Sequence, residues 1–333
     1  MDKIRGQRIA ALPRRKFLAL GLGAGASLAT DCSLKRKEPV LILKAESYRD
    51  DLRQILLNGF KELGIPRDQI AGKRVLLKPN LIEPQRNCEH INTSPLLLEA
   101  AVAAFLHLGA ASVVIGEGGG HTVDSYLVVE EAGLSDVLRE HRIKFIDLNF
   151  SSLAVVPNQG RHTGMKHLVL PRDLFDVDIL VSMPKMKTHH WAGATLSMKN
   201  LFGIMPGAFY GWPKNVLHLH GIPNSIVDIN TTVRAKLAIV DGIVGMEGDG
   251  PIMGTPVNAK VIVMGTNLPA VDATCAGIMD LRPEKIEYLK LAENDLGPIS
   301  LSGIVQRGEK IETVRRPFEL LDFIPAHRVL RNG

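Results

Sequence analysis

Short apolar runs that stop at a lysine, an acid or a glycine, separated by segments with helical spacing, constrain this chain more than any other feature. Residues 40–44, 74–77, 112–115, 144–147, 178–182, 236–240 and 260–264 are such runs. Between the first two, Leu52, Ile55, Leu56, Phe60 and Leu63 share one helical face that stops at Gly64. Ser94-Pro95 opens a second helix, with a capping hydroxyl before a first-turn proline. Leu97, Ala101, Ala104, Phe105 and Leu108 line its face, and Gly109 ends it. A helical stretch reaches about residue 141, and further helices begin near Pro269 and Pro283. Alternation of this kind predicts an α/β fold, a mostly parallel sheet with helices on both faces. No fixed-period repeat and no linker interrupts residues 40–320, so the expectation is a single large domain.

The chain has 333 residues, 45% of them hydrophobic, enough for a large core. Its formal charge of +5 is local. Residues 1–29 carry Lys3, Arg5, Arg8, Arg14, Arg15 and Lys16 against Asp2, so a chain beginning at Thr30 is neutral overall. The basicity therefore gives no support for a nucleic-acid partner. Arg14-Arg15-Lys16-Phe17-Leu18 leads into a short apolar run to Ala29 with small residues at its end, too short and glycine-rich to span a bilayer. This arrangement resembles a twin-arginine export signal, whose cargo typically crosses already folded. It implies the export machinery as a partner and a periplasmic or cell-envelope location. Residues 1–37 are read as signal and linker, and residues 38–333 as the domain. Cys32 offers lipoprotein anchoring as a lesser alternative, although Ala29-Thr30-Asp31 is a poor context for acylation. Cys88 and Cys275 fit either a paired or a free state, and without a closely spaced cysteine run the chain holds no intrinsic iron–sulfur cluster.

In open α/β sheets ligands sit beyond the carboxyl ends of the strands. Those ends carry Lys78 and Asn80, Glu117 in a glycine run, Lys185, Lys187 and His189, and Asp241; Asp272 follows the last strand. The densest stretch, residues 183–207, adds Lys199 and Asn200 and interleaves its lysines with apolar residues. Such amines need anionic partners, which a small anionic ligand or the protein's own acids would supply. His218 and His220, if extended, face one side and could share a divalent metal with Glu117, Asp241, Glu247 or Asp272. The glycine-rich residues 241–251 match neither a dinucleotide fingerprint nor a P-loop.

Residues 75–81 (Val-Leu-Leu-Lys-Pro-Asn-Leu), 184–190 (Pro-Lys-Met-Lys-Thr-His-His), 196–203 (Leu-Ser-Met-Lys-Asn-Leu-Phe-Gly), 241–251 and 270–272 (Ala-Val-Asp) together resemble the domain of unknown function 362 family. The resemblance implies one shared domain over roughly residues 40–290 and brings no established reaction. It maps the family's recurrent polar positions onto Lys78, Asn80, Glu117, Lys185, Lys187, His189, Lys199, Asn200, Asp241 and Asp272. Some members carry a fused ferredoxin-like segment that this chain lacks, so a redox role implies a separate redox protein.

The reading that follows is an exported enzyme acting on a small anionic substrate. His189, Lys187 and Asp241 are its expected catalytic groups, and Lys78, Asn80, Lys185, Lys199 and Asn200 bind the substrate. Glu117, His218 and Asp272 are the expected ligands of a divalent metal. The alternatives are an anion- or metal-binding protein without catalysis, or an accessory to an exported redox complex.

Overall fold

The computed structural model describes residues 37–121 and 123–331. The proposed signal and Cys32 lie outside the described residues. In chain order the principal elements are β1 (Glu38–Lys44), α1 (Leu52–Leu63), β2 (Arg74–Pro79), α2 (Pro95–His107), β3 (Ser112–Glu117), α3 (Ser125–Glu131), α4 (Leu134–Glu140) and β4 (Phe145–Asp147). The hairpin β5 (Leu153–Pro157) and β6 (His167–Pro171) follows, then β7 (Ile179–Met183), β8 (Lys185–His189) and β9 (Gly193–Thr195). Next come α5 (Ser197–Asn200), α6 (Gly207–Tyr210), α7 (Asn215–Leu219), α8 (Ile222–Val233), β10 (Leu237–Glu247) and β11 (Thr255–Val257). The described chain closes with β12 (Val261–Gly265), α9 (Leu268–Ile278), α10 (Glu287–Ala292), β13 (Ile304–Gly308) and α11 (Ile311–Val314).

The main sheet runs β13-β1-β12-β10-β7-β2-β3-β4, parallel except where β12 lies antiparallel to both β1 and β10. Both faces are covered, so the strands alternate between two cores. Val40, Leu76, Val240 and Val263 enter one core with α8 and α9. Leu41, Leu77, Ile239 and Met264 enter the other with α1 and α2. The predicted mixed α/β domain with a mostly parallel sheet is what the chain forms. Among the described residues no helix is long and apolar enough to cross a membrane.

Local differences have physical reasons. The Ser94-Pro95 helix start is as expected, but the Ser94 hydroxyl makes no cap; its backbone N–H goes to Asp241 Oδ2 at 2.9 Å. The expected polar loop after β7 is β8. Pro184 ends β7, and the chain then pairs with β10 through a shifted register, Asp241 opposite Lys185 and Met246 opposite Lys187. The glycine-rich stretch, expected as a turn, extends β10 to Glu247, because Gly242 and Gly245 let Met186 and Phe318 pack close to its backbone. His218 lies in α7 rather than in an extended segment, so it and His220 point apart; His220 Nδ1 lies 3.0 Å from the Thr163 carbonyl.

Candidate active site at the sheet's switch point

After β2 the chain builds β3 and β4 on one side, then returns to place β7 on the other. Strand order reverses between β2 and β7, and the crevice at their carboxyl ends is where such sheets hold ligands. A cavity of about 200 Å³ opens there. Its lining includes Lys78, Asn80, Glu117, His189, Lys199, Asn200 and His218, all gathered from separate segments.

The floor is an internally satisfied network. Lys78 Nζ meets Glu117 at 2.7 Å, Asn200 Oδ1 at 3.0 Å and the Pro79 carbonyl at 2.8 Å. Burial lowers its pKa and Glu117 opposes the shift. Glu117 also accepts the backbone N–H groups of Leu81 and Gly118, both at 2.9 Å. Asn200 ties the network to both strands, donating to the Lys78 carbonyl at 2.9 Å and Ser182 Oγ at 3.1 Å. Gly203 is required here, since a Cβ would run into Glu117 Oε1 and Lys78 Nζ.

Lys199 differs. Burial and the nearby Lys78 lower its pKa to about 8, and among the described residues no carboxylate pairs with it. Its Nζ rests 4.6 Å from the centre of the Phe202 ring. Phe202 packs on His218 at 5.6 Å between centroids, and His218 meets Trp191 edge-on at 5.5 Å, giving the cation an aromatic wall. Burial and Lys199 hold the His218 pKa down.

His189 has a defined tautomer. Its Nδ1 accepts the backbone N–H groups of Trp191 at 3.0 Å and Ala192 at 3.2 Å, so the neutral ring carries its proton on Nε2. Burial first, and Lys199 second, push its pKa well below the usual histidine range. The ring is therefore a neutral donor, able to polarise an oxygen without carrying charge. Asn80 Oδ1 and Thr195 Oγ1, also in the lining, are buried without a hydrogen-bond partner among the described residues.

Four expected site residues lie outside the lining. Lys185 and Asp241 close on each other at 2.6 Å, with the Tyr48 hydroxyl 2.7 Å from the lysine and 2.8 Å from the acid. Both groups are fully buried and find their partners inside the protein, the structural use of such lysines. Lys187 is fully buried behind the recess and donates to the carbonyl of Pro251, a lining residue, at 3.1 Å; burial holds its pKa well below normal. Asp272 sits under the start of α5, accepting from Ser197 N at 2.7 Å, Met198 N at 3.0 Å and the Ser197 hydroxyl. Burial raises it to about 7.

Glu117, His218 and Asp272 thus do not converge. Among the described residues the trio with ligand atoms within 4.8 Å of one another is Glu99 in α2 with Glu140 and His141 at the end of α4, and none of the three lines this recess. Cys88 and Cys275 are both free.

Lys214, which the strand-end reading missed, also lines the recess. Its Nζ donates to the carbonyls of Gly118 at 2.7 Å and of Met205, and burial lowers its pKa to about 7. It caps α7 in the left-handed conformation rather than ending a strand, so only an isolated Pro-Lys in a loop could have flagged it.

The family model described as "Domain of unknown function (DUF362)" matches residues 75–277, a stretch that runs from within β2 to within α9 and holds every residue lining the recess. The chain belongs to the DUF362 family. A curated relative, the thylakoid-associated protein sll1697 of Synechocystis sp., is 27% identical over 267 residues, 76% of this chain and 78% of its own length. Among solved structures, the lactate racemase apoprotein of Thermoanaerobacterium thermosaccharolyticum aligns with a TM-score of 0.43 at 16% identity, over 76% of this DUF362 chain. A Thermotoga maritima protein aligns at 0.41 and 15%, over 70%. This DUF362 chain spans 60% and 59% of the lengths of those two solved chains.

Proposed function

We propose that the recess binds a small organic anion and that the protein is an enzyme moving a proton on it. One observation carries the reading: Lys199, half-buried in the lining with its Nζ against the Phe202 ring, has no carboxylate partner among the described residues, so a ligand's negative charge completes it. Around that charge, His189 Nε2–H and the Thr195 hydroxyl donate and Asn80 accepts. His218, with no hydrogen-bonded partner among the described residues, takes the proton, while neutral His189 polarises the oxygen on which charge develops. Lys78, Glu117 and Asn200 hold the floor in shape, and Lys185 and Asp241 brace β8 against β10.

The test works with any short organic acid the recess accepts. A set of such acids is screened for thermal stabilisation of the protein and then incubated with it in D2O, with carbon-bound proton exchange followed by NMR. Stabilisation plus exchange that vanishes in His218→Gln is expected. Stabilisation without exchange for any acid would leave a binding protein and remove the enzyme.

We also propose export in the folded state, from the Arg14-Arg15 pair and the apolar run that follows it. Arg14→Lys together with Arg15→Lys is expected to retain the protein in the cytoplasm of its host; unchanged fractionation would refute this route.

A further inference from the structure

The recess does not end at its aromatic wall. His190 and Trp191 line it on one side and on the other line a second, apolar groove of about 360 Å³ completed by Phe323, Ile324, Pro325 and Ala326. That groove is built by the chain's last segment, which folds back over the end of β8: Leu321 N donates to His327 Nδ1 at 3.1 Å, and Phe318 is fully buried against Gly245. Trp191 and Phe323 are nevertheless 61% and 70% exposed. Large rings left open beside a charged recess are unusual for a surface with no further duty. Leu219 and Met253, which follow the lining residues His218 and Ile252 in sequence, are also strongly exposed.

We infer that the ligand is an amphiphilic carboxylate, with its head at Lys199 and a single apolar chain passing Trp191 into the groove under Phe323. The inference rests on the anion reading above and extends it to the rest of the molecule bound. Charge complementarity fixes the direction, because the Lys199 ammonium is at the inner end and the lining of the outer groove holds no lysine, arginine, aspartate or glutamate. Lys78 is held by Glu117 and Lys214 by carbonyl oxygens, so Lys199 is the one recess lysine among the described residues whose ammonium has no hydrogen-bonded partner, and a single open cation suits a singly charged carboxylate better than a phosphate dianion. The apolar chain covers the indole and the phenyl ring and leaves Lys199 paired in a dry setting, where the ion pair is strongest.

The experiment is a titration of the mature protein with straight-chain carboxylates from acetate to dodecanoate, each below its micelle concentration, followed by calorimetry. Affinity is expected to rise up to about fourfold per added methylene until the groove is filled, the limit set by burying one methylene. In Phe323→Ser the ratio of dodecanoate to acetate affinity is expected to fall at least about tenfold, roughly two methylenes' worth. In Lys199→Met every carboxylate weakens together. Acetate binding with no dependence on chain length would overturn the amphiphile and leave the anion site standing. Binding of none of them would overturn both. Equal binding of dodecylamine, or binding of dodecanoate only when it is presented in vesicles, would also overturn the proposal, by removing the head-group or the monomer.

Discussion

Lys78 and Lys199 end in the same recess, one buried and one half-buried, and the chemical difference between them is one carboxylate. Glu117 holds Lys78 at 2.7 Å, so Lys78→Met strands a buried acid and is expected to cost about 3–5 kcal/mol in urea unfolding, with Lys78→Met/Glu117→Gln recovering part of it. Lys199→Met removes a charge that no acid among the described residues shares. It is expected to leave the fold intact and weaken short organic anions about 10–100-fold by calorimetry, the worth of a charged hydrogen bond. In the wild type that affinity is expected to hold at neutral pH and fall as pH rises past about 8, where the free amine loses its proton. Strand-end polarity made Lys78, Asn80, Glu117 and His189 legible in the sequence, because a parallel strand delivers whatever follows it to one rim, and the dense stretch 183–207 added Lys199 and Asn200. Which lysine is free was not legible. Lys185 finds Asp241 56 positions away and Tyr48 137 away, and no local pattern encodes such a match.

At the scale of elements, the Lys199 backbone is fixed from the opposite side of its own helix. Asp272, in α9, accepts the first N–H groups of α5, and α5 carries Lys199 and Asn200 into the recess. Asp272→Ala leaves two buried donors unmet, at about 1–3 kcal/mol each, and is expected to lower both stability and anion affinity although it touches no ligand. Gly203→Ala acts from the other side. Its Cβ collides with the Lys78–Glu117 pair, and overpacking of this kind costs about 1–3 kcal/mol. The alternation of strands and helices was readable because each central strand is a short, fully apolar run bounded by turn residues. The β8 strand was not readable, since its lysines, threonine and histidine look like a loop until burial and pairing with β10 are known.

For the whole molecule, the buried ionisable groups set opposite slopes of stability against pH. Lys214 and Lys199, lowered from 10.5 to about 7 and about 8, release protons that the unfolded chain retains, so their contribution improves as pH rises from about 7 towards 10.5. Asp272, raised from 3.8 to about 7, keeps a proton that the unfolded chain loses, so its contribution is full below about 3.8 and declines up to about 7. Urea unfolding across this range is expected to show a flatter alkaline slope in Lys214→Met and a flatter acid slope in Asp272→Asn. The sheet adds a constraint of timing. β1, the first strand among the described residues, is flanked by β12 and β13, so residues 38–44 wait for residues 261–265 to pair one edge and for residues 304–308 to pair the other. A ribosome must have released the chain past residue 308 before the sheet can close, and a copy made only as far as β10 still shows β1 with both edges open.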